Sequence, residues 1–320
     1  MTLPASAQAG ARGNVPPGYR LPATTHVGAV RLQVADLDRS LPYYERVIGL
    51  RLLDRAGNVA LLGANAGPPL VELHGRHGVA PVPRRGRLGL YHYAILLPDR
   101  SALGRFVRHL GEHAVRAGMS DHLVSEAIYL NDPDGLGIEV YADRPRASWR
   151  YDGQQLVMET RPLDVDSLLR ESGPERWNGA PPGTVIGHVH LFVGDLDRAE
   201  AFYHGGLGLD KTVWSYPGAL FMSAGGYHHH VATNTWAAGA LPAGASDARL
   251  LEWELIVPAA TDAQAALASA AAAGAPVEQS ADGGIARDPW GTAVRVRAAR
   301  EDRDVNKRNV EKHRKADEGS

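Results

Sequence analysis

Gly187-His188-Val189-His190-Leu191-Phe192-Val193-Gly194-Asp195-Leu196 is the stretch from which the rest of the chain is read. Val189, Leu191 and Val193 alternate with His188, His190 and Phe192, which is the period of a strand packed on both faces, and Gly194-Asp195-Leu196-Asp197 then supplies a helix start. The same frame recurs upstream as Val27-Gly28-Ala29-Val30-Arg31-Leu32-Gln33-Val34-Ala35-Asp36-Leu37-Asp38. Both copies continue into an amphipathic helix carrying Tyr43-Tyr44 or Phe202-Tyr203. A helix stop then follows at Ile48-Gly49-Leu50 or Leu207-Gly208-Leu209.

Two further copies open with Leu90-Tyr91-His92-Tyr93-Ala94-Ile95-Leu96-Leu97-Pro98 and with Leu250-Leu251-Glu252-Trp253-Glu254-Leu255-Ile256-Val257-Pro258. The pattern predicts helices over Ser101 to Ala117 and Thr261 to Gly274. The turns Asp132-Pro133-Asp134-Gly135 and Asp288-Pro289-Trp290-Gly291 then lead into a last strand in each copy. Every module therefore reads strand, helix and three short strands, about 50 residues in length. The expected fold is α+β, with four βαβββ modules forming two half-barrel domains.

The boundaries that follow are a flexible N-terminal tail over 1–25, a first domain of modules one and two over 26–143, and a connection over 144–183. A second domain of modules three and four covers 184–299, and a charged tail runs over 300–320. The connection holds Trp149, Trp177, Pro181-Pro182 and a short helical stretch from Val165 to Ser172.

Composition narrows the function classes. The chain has 320 residues, 44% of them hydrophobic and 22% charged, which is ordinary for a folded protein of two domains. A formal net charge of −2 points to no nucleic-acid partner. No run of about 18 apolar residues suggests a membrane partner, and the first residues lack the apolar core of a signal peptide, so a cytoplasmic location is expected. Self-association into a homo-oligomer stays open. With no cysteine and fourteen histidines, metal chemistry falls to His, Asp and Glu.

Aligning the four opening strands places Ala29, His92, His188 and Glu252 at one equivalent position. On the closing strands of modules two and four the matching residues are Glu139 and Arg295. His92, His188 and Glu139 thus make the two-histidine, one-carboxylate set that holds Fe(II), or alternatively Mn(II), with one coordination face open. Module four lacks both histidine and carboxylate, so modules two and three are expected to pair across the connection. Modules one and four would form a metal-free half-barrel, with Arg295 supplying fixed positive charge beside Glu252. Glu72 resembles a closing carboxylate of module one, but Ala29 offers it no histidine.

Module three ends in Gly225-Gly226-Tyr227-His228-His229-His230; read as a strand, it turns His229 away from His228 and His230. His122 and Tyr129, the latter on the strand before Glu139, lie within reach of a substrate. His190 either faces away from the metal or lines the pocket. Trp236, Tyr227 and Phe221 are candidate walls for a flat, apolar ligand. His26, His74 and His77 read as surface or loop histidines.

These motifs resemble the vicinal oxygen chelate superfamily, which includes glyoxalases, and within it the type I extradiol catechol 2,3-dioxygenases. The likeness covers nearly the whole chain. It is carried by Ile186 to Leu191, Gly225 to His230, Gly89 to Pro98 and Ser120 to Gly135. The resemblance implies metal ligation by His92, His188 and Glu139, an acid/base histidine best matched by His229, and substrate contacts from His122 and Tyr129. It also implies a small aromatic diol and O2 as reactants, ring cleavage beside the hydroxyls, and a 2-hydroxymuconic semialdehyde-type product. A metal-dependent glyoxalase- or epimerase-like lyase or isomerase, or a non-catalytic binding protein, are the alternatives in the same superfamily. The chain departs from the common extradiol arrangement, in which modules three and four hold the site.

Overall fold

In the computed structural model, residues 12–299 are described, and the expectations for 1–11 and 300–320 lie outside them. Each predicted module forms. Module one comprises β1 (His26–Val34), α1 (Leu37–Tyr43), β2 (Arg51–Ala56), β3 (Val59–Gly63) and β4 (Pro69–Gly75). Module two comprises β5 (Gly89–Leu96), α2 (Arg100–Glu112), β6 (Gly118–Asp121), β7 (Ser125–Asn131) and β8 (Gly137–Asp143). The connection carries a small hairpin, β9 (Tyr151–Asp152) and β10 (Gln155–Leu156), and α3 (Val165–Glu171). Module three is β11 (Val185–Phe192), α4 (Leu196–Glu200), β12 (Asp210–Val213), β13 (Ala219–Ser223) and β14 (Val231–Asn234). Module four is β15 (Arg249–Val257), α5 (Ala260–Ala272), β16 (Val277–Ser280), β17 (Gly283–Arg287) and β18 (Ala293–Ala298).

The aspartate of the repeated Asp-Leu-Asp step begins the helix. Asp36 accepts the Asp38 N–H and Asp195 the Arg198 N–H, each at 2.8 Å, so these side chains satisfy helix donors that have no partner within the helix. Asp99 does the same for α2 through Ala102 at 2.7 Å. α2 stops at Glu112 rather than running to Ala117, because the chain turns at Ala114, which takes a left-handed conformation (φ 53). Among the described residues no helix is long and apolar enough to cross a membrane.

Two eight-stranded sheets result. One has the order β12-β13-β14-β11-β5-β8-β7-β6 and the other β16-β17-β18-β15-β1-β4-β3-β2. Modules two and three therefore share one sheet and modules one and four the other. This strand order crosses the grouping by chain halves, since each sheet takes one module from 26–143 and one from 184–299. Strand parity then sorts the side chains. Val30, Leu32, Tyr93, Ile95, Val189, Leu191, Trp253 and Leu255 enter one continuous core. The intervening residues of β5, β8 and β11 line a separate concave face. Closure of that face needs Gly187, where a Cβ would lie 1.8 Å from the Tyr141 hydroxyl.

A second link joins the modules that share no sheet. Tyr44 donates to Asp132 Oδ2 at 3.2 Å and Tyr203 to Asp288 Oδ2 at 3.1 Å, both in the core. Each aspartate is the first residue of a closing turn, and its other oxygen accepts two backbone N–H groups of that turn. Burial pushes Asp132 up to about 6, while these donors pull the other way. The repeated tyrosine thus ties module one to two and module three to four.

The expected flexible N-terminal tail is corrected. Residues 12–25 are not a loose tail: Asn14 bridges to Lys211, Arg20 pairs with Asp210 at 2.7 Å, and Leu21 is 3% exposed in the core. Apolar Leu21 and the Arg20 charge find partners that composition alone did not reveal. The connection also takes part in packing. Trp149 and Leu156 pack with Val124, Val213, Phe221 and Tyr227 over the concave face of the β5–β11 sheet.

Replacing Tyr44 or Tyr203 by Phe should each lower stability by about 1–2 kcal/mol, because a buried carboxylate loses a donor with little change in packing. Urea unfolding midpoints check this; unchanged midpoints in both variants would remove the inter-module role of the tyrosines.

Candidate metal centre

Strand register aligns the four repeats position by position. On the parallel pairs of opening with closing strand, Glu139 lies opposite Ala94, Ala232 opposite His190, Glu72 opposite Arg31 and Arg295 opposite Glu254. At the sheet centres His190 pairs with His92, and Arg31 with Glu252. One concave face therefore presents His188, His92, His190 and Glu139. The other presents Ala29, Glu252, Arg31, Arg295 and Glu72 at the corresponding places.

In the first face three sequence-selected residues meet. His92 Nε2 lies 2.9 Å and His188 Nε2 3.3 Å from the same Glu139 oxygen, Oε2. They are 5%, 1% and 3% exposed for His92, His188 and Glu139, respectively. Burial, opposed by Glu139, brings His188 down to about 4, which leaves its ring neutral with a lone pair to give. Glu139 is pushed up by burial, but the two imidazoles outweigh this and hold it well below the usual carboxylate range. His92 Nδ1 and Nε2 and His188 Nδ1 are buried without a hydrogen-bond partner. Burying unpaired imidazole nitrogens is costly unless something else binds there. A carboxylate and two imidazoles converging in this way fit a divalent cation with an open face.

A second cluster, His188, His228 and His229, also lies within ligand distance of itself. Its members are already engaged. His228 uses Nε2 on Asp143 Oδ1 at 3.0 Å and Nδ1 on His229 Nδ1 at 2.7 Å. An ion there would have to displace one of these bonds, whereas at the first cluster it would replace only the 3.3 Å contact of His188 Nε2 with Glu139 and would meet a His92 without hydrogen bonds.

His229 stacks on His188 with ring centroids 4.0 Å apart. The strand-phase argument for it fails, however. Residues 225–230 are a turn, with Gly225 and Gly226 at φ 64 and 69, and β14 begins only at Val231, so His228 and His229 contact each other instead of pointing apart. Burial first, then the neighbouring His188 and His228, hold His229 well below the usual imidazole value. His230 caps the turn by accepting the Ala224 N–H at 3.1 Å.

His122 and Tyr129 are joined at 2.7 Å between Nε2 and the hydroxyl. His122 Nδ1 lies 2.9 Å from the Glu159 carbonyl, which can only accept, so Nδ1 carries a proton, and with Nε2 bare the Tyr129 hydroxyl donates to it. Tyr129 sits opposite Glu139 in the β7–β8 pair and 5.5 Å from the His92 ring. His190 lines the same face: its ring is 5.0 Å from that of His92, and the Asn234 amide lies 2.9 Å from its Nε2. Beyond it Tyr91, Phe192 and Trp236 wall a cavity of about 880 Å³. Of the aromatics expected there, Trp236 is in the wall, Phe221 lies 5.0 Å from His229, and Tyr227 packs behind His228.

Charge fills the second face. Arg295 reaches Glu252 Oε2 at 3.0 Å, Arg31 bonds both Glu252 and Glu72, and Arg297 holds Glu254 at 2.8 Å. His74 joins Glu72 at 2.7 Å, so it is not free on the surface. Guanidinium groups stand where an ion would need bare donors.

The family model of the Glyoxalase/Bleomycin resistance protein/Dioxygenase superfamily matches residues 25–140 and 185–296. The chain belongs to that superfamily. It is 46% identical over 236 residues to a catechol-2,3-dioxygenase of Bacillus subtilis strain 168, covering 73% of this chain and 82% of that one. A lactoylglutathione lyase of Haemophilus influenzae is 32% identical over 126 residues, 37% of this chain and 92% of its own. Among solved structures, a provisionally named dioxygenase from Bacillus subtilis subsp. subtilis str. 168 superposes with a TM-score of 0.59 at 14% identity, over 88% of this chain and 86% of that one, a likeness of fold.

Sequence reasoning did not select Asp143, His228 or Asn234. Asp143 had a signal, because it lies four residues past Glu139 on the same strand face. Removal of single donors discriminates the two clusters. His92→Ala, His188→Ala and Glu139→Ala should each lose the ion on desalting, while His228→Gln and Arg295→Met retain it, as read by metal analysis. Loss in His228→Gln with retention in His92→Ala would move the ion to the three-histidine cluster.

Proposed function

We propose that the protein is an extradiol dioxygenase that opens a catechol ring with O2 beside the two hydroxyls, at one Fe(II) held by His92, His188 and Glu139. The product class is a 2-hydroxymuconic semialdehyde. The observation that carries this reading is the meeting of two imidazoles and one carboxylate on one buried face, with both His92 nitrogens and His188 Nδ1 lacking a hydrogen-bond partner. The 46% identity to a catechol-2,3-dioxygenase supports it from a separate direction. When bound, such an ion supplies Lewis acidity and adjacent open positions for the diol oxygens and O2.

The chain's own residues supply proton handling and placement. His229, neutral because it is buried among other imidazoles, takes the proton of the second hydroxyl and can return it later. Both oxygen atoms of O2 and the whole ring remain in the product, so no other reductant is needed. The Tyr129–His122 pair stands beside Glu139 and His92; the Tyr129 hydroxyl, turned from His122 Nε2 towards a developing oxyanion, would supply a bond worth about 3 kcal/mol. His190, Tyr91 and Trp236, set edge-on or tilted to one another, line an aromatic wall for an apolar ring. The connection packs over Phe221 and Tyr227 and restricts water on that side.

Loaded anaerobically with Fe(II) and given catechol and substituted catechols, the protein should consume one O2 per diol and form a yellow product. Tyr129→Phe should keep its iron and lower kcat roughly 100-fold. Iron-loaded protein that takes up no O2 with any of these diols would overturn the reading, and O2-independent turnover of a hemithioacetal would point to the lyase branch.

A further inference from the structure

Behind His229 lies a short hydrogen-bonded chain that the ring-opening reading does not use. Asp143, at the end of β8, keeps 28% of its side chain in solvent. Its Oδ1 lies 3.0 Å from His228 Nε2 and also accepts the Tyr227 hydroxyl at 3.2 Å, itself 2.6 Å from the Tyr141 hydroxyl. His228 is 0% exposed. Its other nitrogen, Nδ1, lies 2.7 Å from His229 Nδ1.

The donors and acceptors in this chain can be assigned in order. A carboxylate only accepts, so His228 Nε2 carries the proton. With that one proton on His228, its Nδ1 is bare. The 2.7 Å contact requires a proton between two nitrogens of the same kind, so it must sit on His229 Nδ1. That leaves His229 Nε2 unprotonated. This nitrogen has no protein partner among the described residues, and His229 keeps 5% exposure.

We propose that Asp143 is a positioning residue: acting through His228, it fixes His229 in the tautomer whose bare Nε2 is free to act as a base. The carboxylate touches neither metal ligand nor substrate. Its effect is relayed by two hydrogen bonds, and the Tyr227 hydroxyl holds the accepting oxygen in place. The catalytic consequence rests on His229 being the acid/base group of the proposed reaction. The tautomer itself does not.

The test is histidine-selective 15N NMR of the full chain stripped of paramagnetic metal. The expected spectrum has His229 protonated on Nδ1 and unprotonated on Nε2, and His228 protonated on Nε2. In Asp143→Ala the His229 signals should move towards a mixture of tautomers, with the fold kept by circular dichroism. On the iron-loaded enzyme, kcat for the diol should fall roughly 10- to 100-fold at unchanged KM. Asp143→Asn, whose amide oxygen can still accept from both neighbours, should keep the wild-type tautomer. A wild-type His229 protonated on Nε2 overturns the proposal without any variant, as does an Asp143→Ala protein with unchanged tautomer and kcat. The spectrum needs neither ion nor diol, so absence of ring cleavage would unseat the function while leaving the relay in place.

Discussion

The antiparallel pairing of β5 with β11 is the constraint on which the site depends. It sets His190 opposite His92 and His188 opposite Ala94, and the parallel partner of Ala94 is Glu139. A slip of one residue in either pair would send a donor into the core and an apolar side chain into the cup. The core residues on the other face, Tyr93, Ile95, Val189 and Leu191 among them, hold that register because each would have to leave a packed interior. Packing on one side of the sheet thereby fixes the arrangement of His92, His188 and Glu139 on the other.

The second sheet uses the same register to opposite effect. Ala29, Glu252 and Arg295 occupy the places of His188, His92 and Glu139, and the arginines of β1 and β18 neutralise the glutamates around them. Ion pairs of this kind, about a quarter exposed at their arginines, add little stability. Their evident effect is to saturate carboxylates that would otherwise gather a cation. One backbone plan thus gives a cup with unpartnered imidazole nitrogens and a cup whose carboxylates are paired with arginines.

Much of this was legible in the sequence because it was periodic. Opening strands, capping aspartates and Asp-Pro-x-Gly turns recur at matching places, so the comparison of Ala29, His92, His188 and Glu252 carried real information. The pairing of module two with three followed from chemistry, since only those two hold the donors. What the pattern could not show was local or long-range detail without a repeat. The Gly225-Gly226 turn broke the strand phase assumed for His228 to His230. Residues 12–25 found partners at Asp210 and Lys211, nearly 200 positions away, for which no spacing rule exists. The role of the connection in covering the cup was hidden for the same reason, because Trp149 and Leu156 reveal their neighbours only after folding.

The central claim is that one ion is shared by side chains from two different modules. Anomalous diffraction at the iron edge, on crystals loaded anaerobically with Fe(II), locates that ion directly. The expected result is a single strong peak bonded to His92 Nε2, His188 Nε2 and a Glu139 oxygen, with no peak beside Glu252 and Arg295. A peak among His188, His228 and His229, or one in the second cup, would contradict it.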